Sequence, residues 1–502
     1  MTDLDRRSFI KTGVAATAGT AAMAGPFAGF LAAPAVAGAG RDRQNELHPV
    51  RDLRDGQKRL MLPDGFRYRS FQPSTRHPDG PTVILDDGSR LPGRHDGMAA
   101  FNRQGRLATL VRNHEENGSA AGGSFGAAGA PTYDTAALGG TSTVVVTDTG
   151  RVQFSYASLA GTQMNCSGGR TPWNSWITCE ETVNGYDIGD DFTRGSLPPE
   201  TYVKNALLQK RHGYIFEVPA NAEASAEPIT QAGRFAHEAV AFDPRGGALY
   251  LTEDNFGFPS GFYKYVPPSS AKRARRVLDG GKLWMLKVRG VENAHLEGHQ
   301  ANGSTYGVEW VKIDQPDFDF GRPAGPTAEH ANDEGISFVG NQGRAEGAAM
   351  FSRLEGAVYD HGWIFWTSTQ GGGVPEPTNS DTIGGWGNGR GQIWGLDLRA
   401  QRLHMLYESP SAEVLDFPDN VTTSKRGTLI VCEDGGNGNY LRGLTRRGRL
   451  FDIAKNNLPE PDANDEFAGA TFDPDGRTLF VNIQDSLGMS FAIWGPWGRI
   501  DV

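Results

Sequence analysis

The feature that most constrains this chain is a strand–turn–strand unit that recurs six times along its 502 residues, each copy bounded by polar, mostly acidic residues. The clearest copies run from Glu238 to Glu253-Asp254, from Glu355 to Gln370 and from Asp419 to Glu433-Asp434. A fourth runs from Gly469 to Gln484, with glycine where the others open on an acid. Two more open on Asp96 and on Cys166 and close on Glu115-Glu116 and on Glu180-Glu181. Each copy is two short apolar runs around a turn containing Gly, Pro or Asp, the pattern of a β-hairpin. A hairpin's first and last residues lie at the same end, so the leading residue and the trailing acid share one rim. Leading positions stand 50 to 117 residues apart, which leaves room for further strands per unit. The predicted fold is all-β, a six-bladed β-propeller over residues 38–502 with long Gly/Pro-rich loop insertions. Uneven spacing argues against a β-helix, and the single repeat series argues against separate sandwiches.

The insertions are Ser119–Thr132, Asn184–Gly213, Gly371–Gly389 and the loop around Pro316–Pro326. No long helix is expected, only a short helical turn over Ala328–Gly335. Ahead of the repeats, Arg6-Arg7-Ser8-Phe9-Ile10-Lys11 precedes a mild Ala/Gly-rich stretch and Ala35-Val36-Ala37. This reads as a twin-arginine signal peptide over residues 1–37, with export to the periplasm, the cell wall or the medium. No later apolar run is long enough to span a bilayer. The net charge of −10 disfavours nucleic acid as a partner. A monomer acting on small molecules is expected.

In a propeller the first strand of each blade lines the central axis. The register places Asp96, Cys166, Glu238, Glu355 and Asp419 around it, beside the trailing Glu115, Glu180, Glu253, Glu433 and Asp434. Converging carboxylates repel one another and resist dehydration unless cations lie among them. Each acid alone could instead cap a strand end through backbone N–H groups, but a ring of them at equivalent positions favours metal. Such oxygen ligands suit Ca²⁺, Mg²⁺ or a ferric ion, and a Cys166 thiolate adds a preference for a transition metal. A Cys166–Cys179 disulfide is the alternative. Cys179 and Cys432 precede a trailing Glu, so by alternation they face the packing between blades. His114 and His237 likewise face away from the candidate ligands. Arg353 lies two residues before Glu355 on the same face, suited either to fork-like binding of an anion or to a plain ion pair. The sequence has no P-loop, no dinucleotide-binding glycine motif and no nucleophile elbow.

Several of these segments resemble the PhoX-type alkaline phosphatases. They are Arg112-Asn-His-Glu-Glu116, Asn165–Glu181, Gly233–Glu238, Phe351–Glu355, Pro418–Asn420, Cys432–Gly435 and Glu466–Gly469. The resemblance implies a phosphatase for phosphate monoesters with a mixed Fe³⁺ and Ca²⁺ cluster. Carried over by motif, Cys166, Glu238 and Glu355 would bind iron. Glu115, Glu180, Glu181, Glu433 and Asp434 would bind calcium or bridge, and Asp419 belongs to the same ring. Arg353 and Asn113 would hold the phosphate. A Ca²⁺-dependent lactonase-like propeller and a non-catalytic calcium-stabilised binding propeller are the competing readings, and neither predicts a cysteine–iron bond.

Overall fold

The six hairpins expected from the sequence are all present in the computed structural model. Their first strands are His95–Asn102, Asn165–Arg170, His237–Phe242, Leu354–Asp360, Pro418–Thr423 and Glu466–Phe472. Each pairs antiparallel with the strand that follows it. The structure describes residues 46–502 apart from 76–79, 103–104, 120–122, 127–128, 191–204, 322–329, 375–385, 437, 460–464 and 485–486. The expected signal peptide therefore lies outside the described residues, as do parts of all four loop insertions.

The first strands pack side by side in chain order, and the last, Glu466–Phe472, returns to the first, His95–Asn102. They form the inner wall of an all-β, propeller-like arrangement whose further strands extend outward. Sequence-distant strands complete two of the sheets. Arg67–Thr75 pairs with Leu487–Trp494, the last strand of the chain. Leu60–Leu62 adds to the edge strand Leu450–Asn456. Thr305–Lys312 pairs on one side with Lys282–Val288 and on the other with Arg402–Glu408, which fuses two hairpin sheets into one of nine strands. Apolar clusters fill the gaps between neighbouring hairpin units, and within the nine-stranded sheet Phe262 of one unit stacks on Trp366 of the next at 4.0 Å between ring centroids.

A helix stands where only a short turn was expected. Asn332–Ala345 spans 14 residues despite Gly335, Gly340 and Gly343, which lower its intrinsic propensity. Tertiary packing outweighs that cost: a Cβ at Gly343 would sit 2.1 Å from the Met285 sulfur, so glycine is what lets the helix lie against the sheet. Among the described residues no helix is long and apolar enough to cross a membrane.

Candidate metal centre

Every inner strand carries a β-bulge at the same place, and the bulge is what aims the site residues. The pairing slips between His95 and Met98, Asn165 and Gly168, His237 and Val240, Leu354 and Ala357, Pro418 and Val421, and Ala468 and Thr471. The two unpaired residues in each slip include Asp96, Cys166, Glu238, Glu355, Asp419 and Gly469 in turn. A bulge bends its strand and re-aims a side chain. Small residues after the acids let adjacent inner strands close up: a Cβ on Gly97 would lie 2.6 Å from the Cys166 carbonyl oxygen, and one on Gly356 would lie 2.6 Å from Asn420 Cα. In the sixth copy, Gly469 sits at φ 61°, and a Cβ there would lie 2.3 Å from the Asp96 carbonyl oxygen.

A second recurring device closes the rim. The residue two before the leading position accepts a hydrogen bond from the N–H of a trailing residue: Arg94 from Glu115, Met164 from Glu181, Ala236 from Asp254, Arg353 from Thr369 and Phe417 from Asp434, at 2.9–3.1 Å. Arg94, Met164, Arg353 and Phe417 all adopt positive φ, between 37° and 49°. That region is uncommon outside glycine, and its recurrence here marks a surface held in shape at some cost.

The structure brings Cys166, Glu181 and Glu238 together, with candidate ligand atoms all within 4.8 Å of one another, and Glu238 joins Glu355 and Asp419 in a second such group. All three cysteines are free, so there is no Cys166–Cys179 disulfide. Cys179 and Cys432 lie in apolar clusters, as alternation requires. Burial, followed by Glu238 and Glu181, pushes the Cys166 thiol well up. Burial, reinforced by neighbouring carboxylates, likewise holds Asp96, Glu238, Glu355 and Glu466 well above the ordinary carboxylate range. Asp419 is raised to about 7 by burial and Asp434, and Asp434 is raised too. One oxygen of Asp96 accepts from Gln484 Nε2 at 2.9 Å, while Oδ1 is buried without a hydrogen-bond partner. Two guanidiniums stand among these acids. Arg353 donates to both oxygens of Asp254, at 3.1 and 2.7 Å, and lies 3.3 Å from Glu355; Arg94 pairs with Glu115.

Four residues expected at the axis or on the phosphate take other roles. In the doublets Glu180-Glu181, Glu253-Asp254 and Glu433-Asp434, the first acid turns away from the axis and caps the start of the next strand. Glu180 accepts from the N–H groups of Gln163, Gly213 and Tyr214 and pairs with His212 at 2.6 Å. Burial opposes a charge on His212, but Glu180 and Asp134 beside it raise its pKa to about 9. Glu253 accepts from Gly261 N and Tyr263 Oη, and Glu433 from Asp416 N, Tyr440 N and Arg442 Nε. Glu180 and Glu433 are thus strand-end caps outside the cluster.

Asn113 does not face the axis either. Its amide donates to the carbonyls of Cys166 and Ser167, both at 2.8 Å, and its oxygen accepts from Trp176 Nε1 and Thr178 Oγ1, both at 2.9 Å. Fully buried and fully bonded, it has no capacity left for a phosphate. Thr252 and Thr367 at the same position of other copies, and Asn482 one place further along in the sixth, explain this. Thr252 donates to the Glu355 carbonyl at 2.6 Å, Asn482 to the Asp96 carbonyl at 2.5 Å, and Thr367 to the Asp419 carbonyl. Asn113 is one of a set of pins, each tying a second strand to the next inner strand. His114 bonds Gly93 O and Ser142 Oγ, and His237 bonds Gly233 O, as packing residues.

The structure also adds residues to the expected set. Asp254 anchors Arg353. Glu466 stands three residues before the glycine that displaces the sixth leading acid, and Asp434 and Asp419 both act on it. Arg94 occupies the place that Arg353 holds in another copy; aligning the repeats two residues upstream would have found it.

Comparison with known proteins gives this geometry a family. The family model for alkaline phosphatase PhoX matches residues 148–486. No curated protein sequence matches the chain. Among solved structures, PhoX of Pseudomonas fluorescens, in complex with vanadate, a transition state analogue, is similar over 90% of this chain and 98% of its own, with a TM-score of 0.60 at 17% identity. A gluconolactonase from Xanthomonas campestris (84% of this chain, 100% of its own, TM-score 0.35, 12% identity) and a virginiamycin B lyase from Staphylococcus aureus (85% and 99%, 0.36, 11%) are too distant to bear on the argument. The match over more than half of the chain places it in the alkaline phosphatase PhoX family: it is a metal-dependent phosphatase, a phosphoric monoester hydrolase.

Proposed function

We propose that this chain hydrolyses phosphate monoesters at an iron–calcium cluster on the axis of a six-bladed propeller. The observation that carries the reading is the donor set itself: one thiol with Glu181 and Glu238 on one side, and Glu238 with Glu355 and Asp419 on the other. A thiolate among carboxylates suits a ferric ion, and the surrounding oxygen donors suit Ca²⁺. Asp96, Asp434 and Glu466 extend the oxygen-rich side. The buried Asp96 Oδ1 without a partner fits a cation. The fit extends to charge: with Arg94 and Arg353 matched to Glu115 and Asp254, the remaining acids call for several positive charges. Six inner strands packing in one circuit support the six-bladed reading.

When bound, the ions would neutralise phosphate charge and lower the pKa of water at the site. The chain's own groups do the rest. Arg353, gripped by Asp254, offers guanidinium hydrogens to the equatorial oxygens of a phosphoryl group, where charge is spread in the transition state. Arg94 is positioned by Glu115 on the same rim. Thr369 Oγ1 holds Glu355 at 2.5 Å and Gln484 holds Asp96, so each carboxylate keeps its orientation. A lactonase-like or purely binding propeller would have no use for the Cys166 thiol.

The paired arginines and apolar stretch before residue 38 support export by the twin-arginine machinery of an already folded protein, acting outside the cytoplasm as a monomer on small phosphate esters. Elemental analysis and a visible spectrum of the exported protein test the centre. Iron with calcium and a thiolate-to-ferric band is expected. Calcium without iron in fully active protein would overturn the assignment.

A further inference from the structure

Beside Arg353 the rim carries an aromatic group that the phosphate chemistry does not use. Phe256 lies two residues beyond Asp254, the acid that grips Arg353, and is left 38% exposed. Its ring centroid is 5.3 Å from the Arg353 guanidinium carbon. The same guanidinium is 3.3 Å from Glu355, so the ring and the carboxylate cluster adjoin one cation. Nε and Nη2 of Arg353 are taken by Asp254, whereas Nη1 has no hydrogen-bond partner among the described residues. Nη1 is therefore the edge of the fork left for an incoming anion.

The backbone around Phe256 is tied down on every side. The Asp254 N–H donates to the Ala236 carbonyl at 3.1 Å. Buried Asn255 donates its N–H to Ser260 Oγ and accepts from the Phe258 N–H, both at 3.1 Å. Its amide nitrogen donates to Glu253 and to the Ile336 carbonyl, both at 3.3 Å. The Phe256 carbonyl itself accepts from the Trp386 N–H at 2.7 Å, and the hydroxyl of Ser352, next to Arg353, donates to the Trp386 carbonyl. An apolar ring held this firmly, half in contact with a cation and half open to solvent, is a contact surface prepared before a ligand arrives.

The position of the ring also suits the reaction. A phosphoryl oxygen hydrogen-bonded to Nη1 stands about 2.9 Å from it. The ester oxygen is two bonds further on, so its substituent starts within reach of a ring 5.3 Å from the guanidinium carbon. We propose that Phe256 is a specificity-determining residue of the phosphatase: its exposed ring packs against the ester group, so that the site favours aryl phosphates over those of small alcohols. This rests on the reading that Arg353 holds the phosphoryl group.

Competitive inhibition of the metal-loaded enzyme by phenylphosphonate, methylphosphonate and inorganic phosphate tests it, at a pH where all three are dianions. The two phosphonates carry the same charge and are not hydrolysed, so the ratio of their inhibition constants reads the contact with the ester group alone. The parent is expected to bind phenylphosphonate about tenfold more tightly than methylphosphonate. Phe256→Ala is expected to bring that ratio close to one while the constant for inorganic phosphate stays unchanged, and Phe256→Tyr is expected to keep the ratio. A parent without the preference, or a preference that survives in Phe256→Ala, overturns the proposal. So does a weakening shared equally by all three anions, which would mean that the ring only steadies Arg353. Arg353→Lys separates the two readings, since it should weaken all three anions alike. If it weakens none while Phe256→Ala still abolishes the ratio, the ring is the ester contact and the phosphoryl group is held elsewhere on the rim.

Discussion

Replacing Asn113 by alanine removes four hydrogen bonds at once and no charge. The amide ties the carbonyls of Cys166 and Ser167 to the Trp176 indole and the Thr178 hydroxyl, and all four partners are buried. At about 1 kcal/mol net for each neutral hydrogen bond, the loss comes to roughly 4 kcal/mol, with any water that enters the space recovering part of it. The assay is urea unfolding of chelator-stripped protein, followed by Trp fluorescence, beside steady-state hydrolysis by the metal-loaded form. The expected result is a large drop in the unfolding midpoint, with KM for a small phosphate ester unchanged and activity per loaded chain largely retained. A variant as stable as the parent but with KM raised tenfold would mean that Asn113 reaches the substrate and that the inter-strand pin is the wrong account.

Glu180 and Glu181 should separate cleanly. Glu180→Gln weakens the cap on the next strand and the His212 pair, and so lowers the melting temperature while metal content holds. Glu181→Gln should do the reverse, and metal analysis of both proteins checks it. In stripped protein, Glu355 is an acid whose folded pKa lies above its unfolded value. Its ionisation therefore destabilises the fold, and stability is lost as pH rises from about 4 through the folded value. The melting-temperature gain of stripped Glu355→Gln over the parent should accordingly grow between pH 5 and pH 8; a gain that shrinks would refute the sign. Arg353→Lys keeps the charge but loses the fork to Asp254, so KM should rise about tenfold, equivalent to roughly 1.4 kcal/mol, with metal content unchanged.

The hairpins were legible because each is local: an apolar run, a turn and a second run fix both strands and the rim they share. What the pattern could not show was which way the residues at the bulges point. Strict alternation would send Asn113 and Glu115 to the same face, yet only Glu115 lies among the axial groups, while Asn113 reaches toward the next inner strand. The doublets hid a similar division of labour, since either acid of Glu180-Glu181 is a chemically competent ligand. Only the chain entering the third strand, where the N–H groups of Gly213 and Tyr214 donate to Glu180, decides between them. The helix Asn332–Ala345 was hidden by its own glycines, whose value lies in close approach to Met285 rather than in propensity. Glu466 stands three residues before the glycine that opens its copy, off the leading position, so it was legible only within the resembling segment Glu466–Gly469 and not as a candidate ligand.

The pairing of Arg67–Thr75 with Leu487–Trp494 bears on when this protein can become an enzyme. The inner strand that carries Asp96 has Glu466–Phe472 as its neighbour, and Asp96 takes its hydrogen bond from Gln484. Gln484 lies 388 residues beyond Asp96, so the ring cannot close until that distant segment has been made. Metal capture therefore waits until the strands around Glu466 and Gln484 have been made and have folded back onto the first. A truncation that removes Leu487–Trp494 should leave a chain unable to retain metal, although nearly every candidate ligand would still be present.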